Sequence, residues 1–315
     1  MKPPTHLVTG GAGFIGSNLV RRLVETGAGV RVVDDLSTGK RENLAGLSGV
    51  EIVQGDLCEM PLKGVLEGID VIFHLAAVPS VPRSVADPMR SHAASATATL
   101  RLLEAARDAE VRRFITSSSS SVYGDAAELP VSEAAPTSPR SPYAVGKLAA
   151  EGYTRVFASL FGMSTVSLRY FNVFGPRQDP DSQYAAVIPR FIGAYLRRER
   201  PTVFGDGRQS RDFTFVDNVV EANLLAARAL RLDGESINVA SGEPYSLLDV
   251  LAELQLLFGT RLEPVFEPDR PGDIRHSHAN IGRARELLGY EPRVGFREGL
   301  RRTAEWFKST PARSR

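Results

Sequence analysis

The chain has 315 residues, of which 43% are hydrophobic, and a formal net charge of +1. This length allows a large core, in one large α/β domain or in two lobes that share one. The near-neutral charge argues against nucleic acid or an anionic membrane as the main partner. No apolar run reaches about 18 residues, so no transmembrane helix is expected. The first strand begins too early to leave room for a signal peptide.

Cysteine and histidine usage narrows the chemistry further. Cys58 is the single cysteine, which excludes an internal disulfide and fits a reducing cytoplasm. It lies in a polar segment and is interpreted as a bystander thiol. The five histidines show no metal-ligand spacing, so we predict no catalytic metal.

Short apolar runs alternate with helical patterns over the first 170 residues. The runs predicted as strands are 6–9, 30–33, 51–53, 69–73, 112–116 and 164–170. This alternation predicts an α/β protein with a doubly wound parallel sheet of the Rossmann type, its last strand ending at Tyr170. We expect a first domain over 1–170. Residues 171–315 should form mainly a smaller C-terminal α/β lobe that binds substrate, with some segments returning to the first domain.

The first strand runs directly into a glycine turn and then into a helical pattern. Gly10, Gly13 and Gly16 recur at three-residue intervals, a spacing that differs from the general G-x-G-x-x-G. Strand, glycine turn and helix are the setting of a dinucleotide site, where the backbone approaches a pyrophosphate at a helix N-terminus. The second strand ends at Asp34, 24 residues after Gly10. A carboxylate there accepts both adenosine ribose hydroxyls and repels a 2′-phosphate, so the predicted cofactor is NAD rather than NADP.

A second group of polar residues predicts proton chemistry. Tyr143 and Lys147 are four residues apart, so on a helix they share one face. A phenol has a pKa of about 10, and a nearby ammonium lowers it by stabilising the phenolate. The hydroxyl of Ser119 can bond the same substrate oxygen. The spacing alone also fits a solvated helix face with one aromatic side chain on the core.

Taken with these features, several short motifs resemble the extended short-chain dehydrogenase/reductase family, and within it the nucleotide-sugar 4-epimerases. The motifs are TGGAGFIG at 9–16, DDL at 34–36, GDL at 55–57, HLAA at 74–77, SSSSSVYG at 117–124 and the tyrosine–lysine pair. The resemblance extends over about residues 5–308, and the set of motifs is specific.

The resemblance implies an NAD-dependent isomerase acting on a UDP-sugar, either UDP-glucose/galactose or a UDP-N-acetylhexosamine, through a transient 4-keto sugar. The family's 4,6-dehydratases carry Thr-Asp-Glu before Val-Tyr-Gly, and its decarboxylases keep the glutamate. This chain has Ser120 and Ser121 there, which argues against both reactions. The alternatives are a UDP-glucuronic acid 4-epimerase and a nucleotide-sugar reductase or dehydratase of the same fold. Asp179 replaces an arginine of one uronate type, and Pro79 replaces a glycine expected for N-acetyl preference.

The resemblance also implies roles for individual residues. The catalytic residues would be Ser119, Tyr143 and Lys147. The cofactor-binding residues would be Gly10, Gly13, Phe14, Ile15, Gly16, Asp34, Asp56, Leu57, Leu75, Ala76, Ala77, Ser117, Tyr143, Lys147 and Tyr170. The substrate-binding residues would be Ser80, Arg83, Ser119, Ser121, Tyr143, Asn172, Gln178, Ala186, Val187, Ile188, Arg190, Arg211, Arg270, Asp273 and Ser277. Arginine suits the diphosphate because its planar fork binds two oxygens. Asp56 fits a turn equally well, and His74 is interpreted as structural.

Two long helices are predicted, over 89–110 and 142–160. In the family that the chain resembles, the corresponding helices of two subunits form a four-helix bundle, which implies a homodimer. The sequence itself shows only that both helices have apolar faces, which also fit an intramolecular core.

Overall fold

The computed structural model of the protein describes residues 5–179, 186–269 and 274–309. Its strands are β1 (His6–Thr9), β2 (Val30–Asp34), β3 (Val50–Gln54), β4 (Val71–His74), β5 (Arg113–Ser119), β6 (Thr165–Tyr170), β7 (Val173–Phe174), β8 (Thr202–Phe204), β9 (Ser210–Asp212), β10 (Thr214–Phe215), β11 (Asp233–Val239), β12 (Pro244–Ser246) and β13 (Val265–Glu267). Its α-helices are α1 (Phe14–Glu25), α2 (Val81–Ala86), α3 (Pro88–His92), α4 (Ala98–Asp108), α5 (Pro142–Phe161), α6 (Val187–Arg197), α7 (Val216–Arg228), α8 (Leu247–Phe258), α9 (Gly282–Leu288) and α10 (Phe296–Ser309). Short 3₁₀ turns cover Arg41–Leu44, Gly64–Leu66 and Ser120–Tyr123, and a π-helical turn, Ala93–Thr97, joins α3 to α4.

Seven of these strands form one parallel sheet in the order β3-β2-β1-β4-β5-β6-β11. The strand order reverses between β1 and β4. In a doubly wound sheet, the crevice outside the carboxyl ends of the strands at this reversal is where ligands bind. The predicted α/β class and doubly wound sheet are confirmed.

The prediction that the sheet ends with residues 164–170 was wrong. β11 pairs in parallel with β6, Ile237 opposite Leu168, and becomes the outer strand. Its sequence does not look like a buried strand because it alternates Ser236 and Asn238 with apolar residues. Both polar side chains are buried, and each has a hydrogen-bond partner from another element. Only the tertiary contacts make this polar strand acceptable in the core.

Alternate residues of the central strands enter two apolar layers. Leu7 and Phe114 pack with residues of α4 and α5 on one face, and Val8 and Ile115 pack with residues of α1 and α7 on the other. This follows from the two-residue period of a strand, which turns successive side chains to opposite faces. Helices therefore cover both faces, as in other parallel sheets.

A separate apolar cluster joins α6, α8 and α10 to the short strands β7 and β10. Aromatic rings dominate it: Phe174 lies 5.7 Å from Phe215, and Phe296 lies 4.2 Å from Tyr245, measured between ring centroids. The cluster draws on residues after 170, whereas β11 and α7, also after 170, pack in and on the large sheet. The division of the chain at residue 170 stays a prediction.

The helix α5 places the predicted tyrosine and lysine at the carboxyl ends of the sheet strands. Ser141 begins it, its Oγ accepting a hydrogen bond from the Ala144 N–H at 3.2 Å, and Pro142 occupies the first turn, where no N–H is needed. Gly162 ends the helix in the left-handed conformation, at a φ of +66°. Tyr143 therefore lies in the first turn, beside the carboxyl end of β5.

Candidate active site

The glycine turn between β1 and α1 is closed too tightly for side chains. At Gly10, φ is +67°, and a Cβ would lie 2.8 Å from the Ala76 backbone nitrogen. At Gly16, a Cβ would overlap the Gly10 carbonyl oxygen and lie 2.8 Å from the Gly11 Cα. Gly13 caps α1 without any side-chain hydrogen bond. The first N–H groups of α1 thus face a cradle with no side chain in it, which suits an anionic phosphate.

Asp34 lies at the end of β2 and reaches back to this turn. It is 7% exposed, and its two carboxylate oxygens accept hydrogen bonds of 2.9 Å from the N–H groups of Ala12 and Leu36. Burial raises the pKa of Asp34, and these two hydrogen bonds act against the rise. A carboxylate held next to a phosphate cradle fits the adenosine ribose of NAD. The residues present therefore fit this cofactor.

The three predicted catalytic residues lie together at the carboxyl end of β5. The Ser119 side chain lies close enough to the Tyr143 hydroxyl to act toward a lower pKa of that phenol. The Lys147 ammonium donates to the Ser117 carbonyl oxygen at 2.8 Å and to the Ser117 Oγ at 3.1 Å. Its Nζ lies 6.0 Å from the centroid of the Tyr143 ring. One face of α5 and the end of β5 thus form a single polar group.

Burial governs the charge states of this group. It lowers the pKa of Lys147 to about 8, while Glu151 acts in the opposite direction. It also raises the pKa of Tyr143, against the interaction with Ser119. The sequence led us to expect a lowered phenol pKa, but in the protein alone desolvation of the phenolate dominates. At neutral pH the lysine is charged and the phenol is protonated.

The remaining residues expected at the cofactor differ in their surroundings. Ala76 backs onto Gly10, and its N–H donates to the Thr9 Oγ1 at 3.2 Å. Leu57 is part of the core. Asp56 is exposed, and its Oδ1 accepts a hydrogen bond from the Cys58 N–H at 2.7 Å within a turn. The expected cofactor residues flanking these segments are Phe14, Ile15, Leu75 and Ala77.

The Tyr170 backbone lies beside Ser119, its register partner on β5, but the Tyr170 hydroxyl is engaged elsewhere. Its side chain is buried in the core between the sheet and α7, and its hydroxyl accepts a hydrogen bond from the Asn223 Nδ2 at 2.9 Å. Both side chains form hydrogen bonds within the protein, Asp56 with Cys58 and Tyr170 with Asn223. Their roles in cofactor binding stay predictions.

A cavity of about 260 Å³ lies between the small strands and α6. Six predicted substrate-binding residues line it: Asn172, Ala186, Val187, Ile188, Arg190 and Arg211. Its other lining residues are Val173, Phe174, Thr202, Phe204, Gln209, Phe213 and Leu247, which sequence reasoning missed. Gln209 and Phe213 are each two residues from Arg211 in the sequence, so their nearness to a predicted site residue could have indicated them. Phe204 has no such local indication, because its place in the cavity depends on how β8 packs.

Polar groups converge on this cavity. Asn172 donates through Nδ2 to the Ser277 Oγ and to the Asp212 carbonyl oxygen, both at 3.4 Å. Arg211 donates to the Ser210 carbonyl oxygen at 2.8 Å, and the Arg190 guanidinium lies 5.4 Å from the centroid of the Phe204 ring. The structure thus joins Ser277 to the cavity through Asn172. Arg270 and Asp273 lie outside the described residues.

Four further predicted substrate residues lie outside the cavity lining. Ser80 caps α2 by accepting a hydrogen bond from the Arg83 N–H at 3.2 Å. The Ser121 N–H donates to the Ser119 Oγ at 3.2 Å, which links Ser121 to the catalytic group. Gln178 donates through Nε2 to the Val173 carbonyl oxygen at 3.3 Å.

The described residues contain neither a metal-binding cluster nor a membrane-spanning helix. No group of three or more His, Cys, Asp or Glu side chains there has the geometry to hold a metal ion. No helix in the same residues has the length and apolar character needed to cross a membrane.

Known proteins resemble this chain over nearly its whole length. Residues 6–240 match the model of the NAD dependent epimerase/dehydratase family. A UDP-glucose 4-epimerase of Mycolicibacterium smegmatis is 42% identical over 309 residues, covering 96% of this chain and 98% of the relative. A UDP-N-acetylglucosamine 4-epimerase from Methanobrevibacter ruminantium, solved with UDP-N-acetylmuramic acid, aligns with a TM-score of 0.94 at 41% identity, covering 98% and 99% of the two chains. A UDP-glucuronic acid 4-epimerase from Bacillus cereus, solved with UDP-glucuronic acid and NAD, aligns with a TM-score of 0.90 at 35% identity, covering 96% and 98%.

Proposed function

Since this chain belongs to the NAD dependent epimerase/dehydratase family, we propose that it is an NAD-dependent isomerase that inverts carbon 4 of a UDP-sugar. The reaction passes through a 4-keto sugar and involves no net oxidation. The three relatives described above are named as 4-epimerases of three different UDP-sugars, which supports this reaction class.

The observation that carries the proposal is the Ser119–Tyr143–Lys147 group with serines beside it. Ser120 and Ser121 follow Ser119 in the 3₁₀ turn Ser120–Tyr123. In the family's 4,6-dehydratases, elimination of water from the sugar needs a carboxylic acid and a carboxylate at these two positions. A serine hydroxyl replaces neither group at neutral pH. The site therefore favours proton transfer at the sugar 4-oxygen over dehydration.

Each residue of the group has a distinct task. Tyr143 accepts the proton of the 4-hydroxyl as a phenolate and returns it to the 4-oxygen at the end of the reaction. The Lys147 ammonium favours the phenolate. Ser119, which lies next to the Tyr143 hydroxyl, bonds the same sugar oxygen and relays the proton. The reversible oxidation of carbon 4 is the chemistry that NAD supplies when bound, held by the glycine turn and Asp34.

Inversion requires that the sugar turns while the nucleotide stays in place. We assign the nucleotide diphosphate to the cavity beside α6, where Arg211 and Asn172 meet. The guanidinium of Arg211 can bind two phosphate oxygens at once, and the Asn172 amide adds a donor. Neither residue contacts the atoms that react, so their loss should mainly raise KM.

The sugar is proposed to be neutral, either glucose/galactose or an N-acetylhexosamine. Ser277, small and bonded to Asn172, leaves room for an acetamido group. Asp179 forms an ion pair with Lys40 at 2.7 Å, which places a negative charge where one type of uronate epimerase carries an arginine. UDP-glucuronic acid is therefore the alternative substrate.

The direct test uses the purified protein with no added cofactor. It is incubated separately with UDP-glucose, UDP-N-acetylglucosamine and UDP-glucuronic acid, and products are followed by NMR. We expect the 4-epimer of one of the two neutral sugars. Conversion of UDP-glucuronic acid alone would replace the proposed substrate but keep the reaction. Consumption of added NAD(P)H with a 4-keto sugar, without epimerisation, would make the protein a reductase and reject the proposal.

We also propose a homodimer formed through α5 and the segment from α3 to α4. Val145, Val156 and Leu160 follow one another on α5 at intervals of 11 and 4 residues and are exposed, and Met89 on α3 is exposed as well. Apolar residues at such spacings form one face of a helix. An adjoining face of α5 packs in the core through residues such as Phe157. A second copy of these helices is the expected cover, as in the family that the sequence resembles.

The substitution Leu160→Asp tests this dimer. Leu160 is 70% exposed, so an aspartate there should leave the single chain folded. In an apolar interface, however, the buried aspartate charge would lose its hydration, which disfavours the dimer. Light scattering after gel filtration should change from the mass of two chains to that of one. Leu256→Asp on α8, a site that is 78% exposed, is the matched control and should leave the mass unchanged. A wild-type protein with the mass of one chain would refute the dimer.

We place the enzyme in the cytoplasm. The support is the single cysteine, which suits a reducing compartment, together with a nucleotide-sugar substrate.

A further inference from the structure

A buried ion pair lies directly behind the catalytic lysine. Glu151 is one helical turn after Lys147 on α5 and is 1% exposed. It forms a two-pronged pair with Arg169 of β6: Arg169 Nε lies 2.9 Å from Oε1, and Nη2 lies 2.6 Å from Oε2. Ser118 of β5 donates to Oε1 at 2.5 Å, and Ser236 of β11 donates to Oε2 at 2.9 Å.

These contacts fix the position of the carboxylate. Four hydrogen bonds converge on its two oxygens, and two of them come from the Arg169 guanidinium. They come from three neighbouring strands, so Glu151 anchors α5 to β5, β6 and β11 at one point. Arg169 is itself held, because its Nη1 donates to the Tyr123 hydroxyl at 2.8 Å and that hydroxyl donates to the Asn238 Oδ1 at 2.7 Å. The negative charge next to Lys147 is therefore stationary.

The other groups around Lys147 do not supply such a charge. On β5, Ser117 offers only neutral oxygens. On β4, burial and the charge of Lys147 keep His74 neutral by lowering its pKa to about 3. Its ring lies between Thr9 and Thr99, at 2.8 and 2.9 Å.

The remaining neighbours of Lys147 supply no negative charge either. From the π-helical turn, the Ser95 side chain approaches Gly146 next to Lys147 and carries no charge. On α5 itself, Tyr143 is neutral at pH 7 in the protein alone. Arg169 is a nearby positive charge, and it is paired with Glu151. Among the groups that the structure describes around Lys147, Glu151 is the anion that opposes the loss of the lysine proton.

We propose that Glu151 is a positioning residue of this enzyme: held in place by Arg169, its carboxylate keeps Lys147 protonated at working pH. The catalytic importance of this inference rests on the proposed function, because a neutral Lys147 cannot favour the Tyr143 phenolate. A merely structural ion pair would leave the protonation of Lys147 unchanged.

The lysine content of the chain makes this directly measurable. There are five lysines, Lys2, Lys40, Lys63, Lys147 and Lys308. Protein labelled with ¹³C at lysine Cε should give few signals, and the one absent in Lys147→Arg is assigned to Lys147. The full-length NAD-loaded protein is titrated by NMR. The pH profile of kcat is measured with the UDP-sugar that the wild-type protein converts in the test described above.

Two variants separate charge from structure. Glu151→Gln alone leaves Arg169 buried without its partner, which threatens folding, so it is paired with Glu151→Gln/Arg169→Met, which removes both charges. In the double variant we expect the pKa of Lys147 to fall, and in a folded Glu151→Gln protein to fall further, because the opposing charge of Arg169 remains there. Loss of the lysine proton at lower pH should move the alkaline limb of kcat to lower pH as well. Ser236→Ala is the matched control, because it removes one hydrogen bond to Glu151 but leaves the carboxylate; both quantities should stay unchanged.

The outcomes are distinct. A double variant that is folded by circular dichroism but has an unchanged Lys147 pKa would overturn the inference and reduce Glu151 to a structural role. A lowered Lys147 pKa with an unmoved alkaline limb would also overturn it, because catalysis would not depend on this proton. If the wild-type protein converts no UDP-sugar while the Lys147 pKa falls as expected, the proposed function fails and the electrostatic role of Glu151 stands.

Discussion

The substitution Tyr143→Phe should reduce turnover by at least about a thousandfold, because it removes the group that transfers the proton of the sugar 4-hydroxyl. The phenyl ring fills the same space, and only the interaction of the hydroxyl with Ser119 is lost. Folding and NAD content should therefore match the wild type. Epimerisation is measured by NMR, and bound NAD is measured by absorbance after denaturation.

Tyr153→Phe is the matched control for this experiment. Tyr153 lies on the same helix, partly exposed, so the loss of its hydroxyl should leave turnover unchanged. A Tyr143→Phe enzyme that keeps substantial activity would reject the proposed acid–base role. If both variants lost activity together, the cause would be a general effect on α5 rather than on the proton transfer.

The substitution Gly16→Ala should destabilise the protein by about 1–3 kcal/mol or more and abolish retention of NAD. Its Cβ would overlap the Gly10 carbonyl oxygen and lie 2.8 Å from the Gly11 Cα. These are backbone atoms of the turn itself, so relief requires the turn to open. An open turn withdraws the N–H groups at the start of α1 from the phosphates. Urea denaturation gives the free energy of unfolding, and absorbance of the purified protein gives the NAD content.

Gly64→Ala is the corresponding control. A Cβ at Gly64 meets no atom within 4 Å, so the change in the free energy of unfolding should stay within about 0.5 kcal/mol. A Gly16→Ala protein that retains NAD at the wild-type level would show that the turn adapts, contrary to the geometry.

Local signals in the sequence determined the nucleotide-binding half of the protein. The strand–glycine–helix pattern, Asp34 at a strand end and the four-residue spacing of Tyr143 and Lys147 each depend on a few neighbouring residues. The β1, β2 and β4–β6 strands, and α5 with its Ser141 and Gly162 ends, follow from the same kind of local pattern. The assignments to NAD and to the family needed nothing more distant.

Only the tertiary structure decided how distant segments meet. β11 joins the sheet because its polar residues bond to Glu151 and to other segments, and no local pattern encodes such partners. The cavity depends likewise on Phe204, which strand packing brings beside Arg211. The pKa of Tyr143 rises instead of falling because desolvation depends on the whole surrounding fold. Periodicity along a chain fixes which face a residue occupies, whereas burial and pairing between distant residues are set by three-dimensional packing.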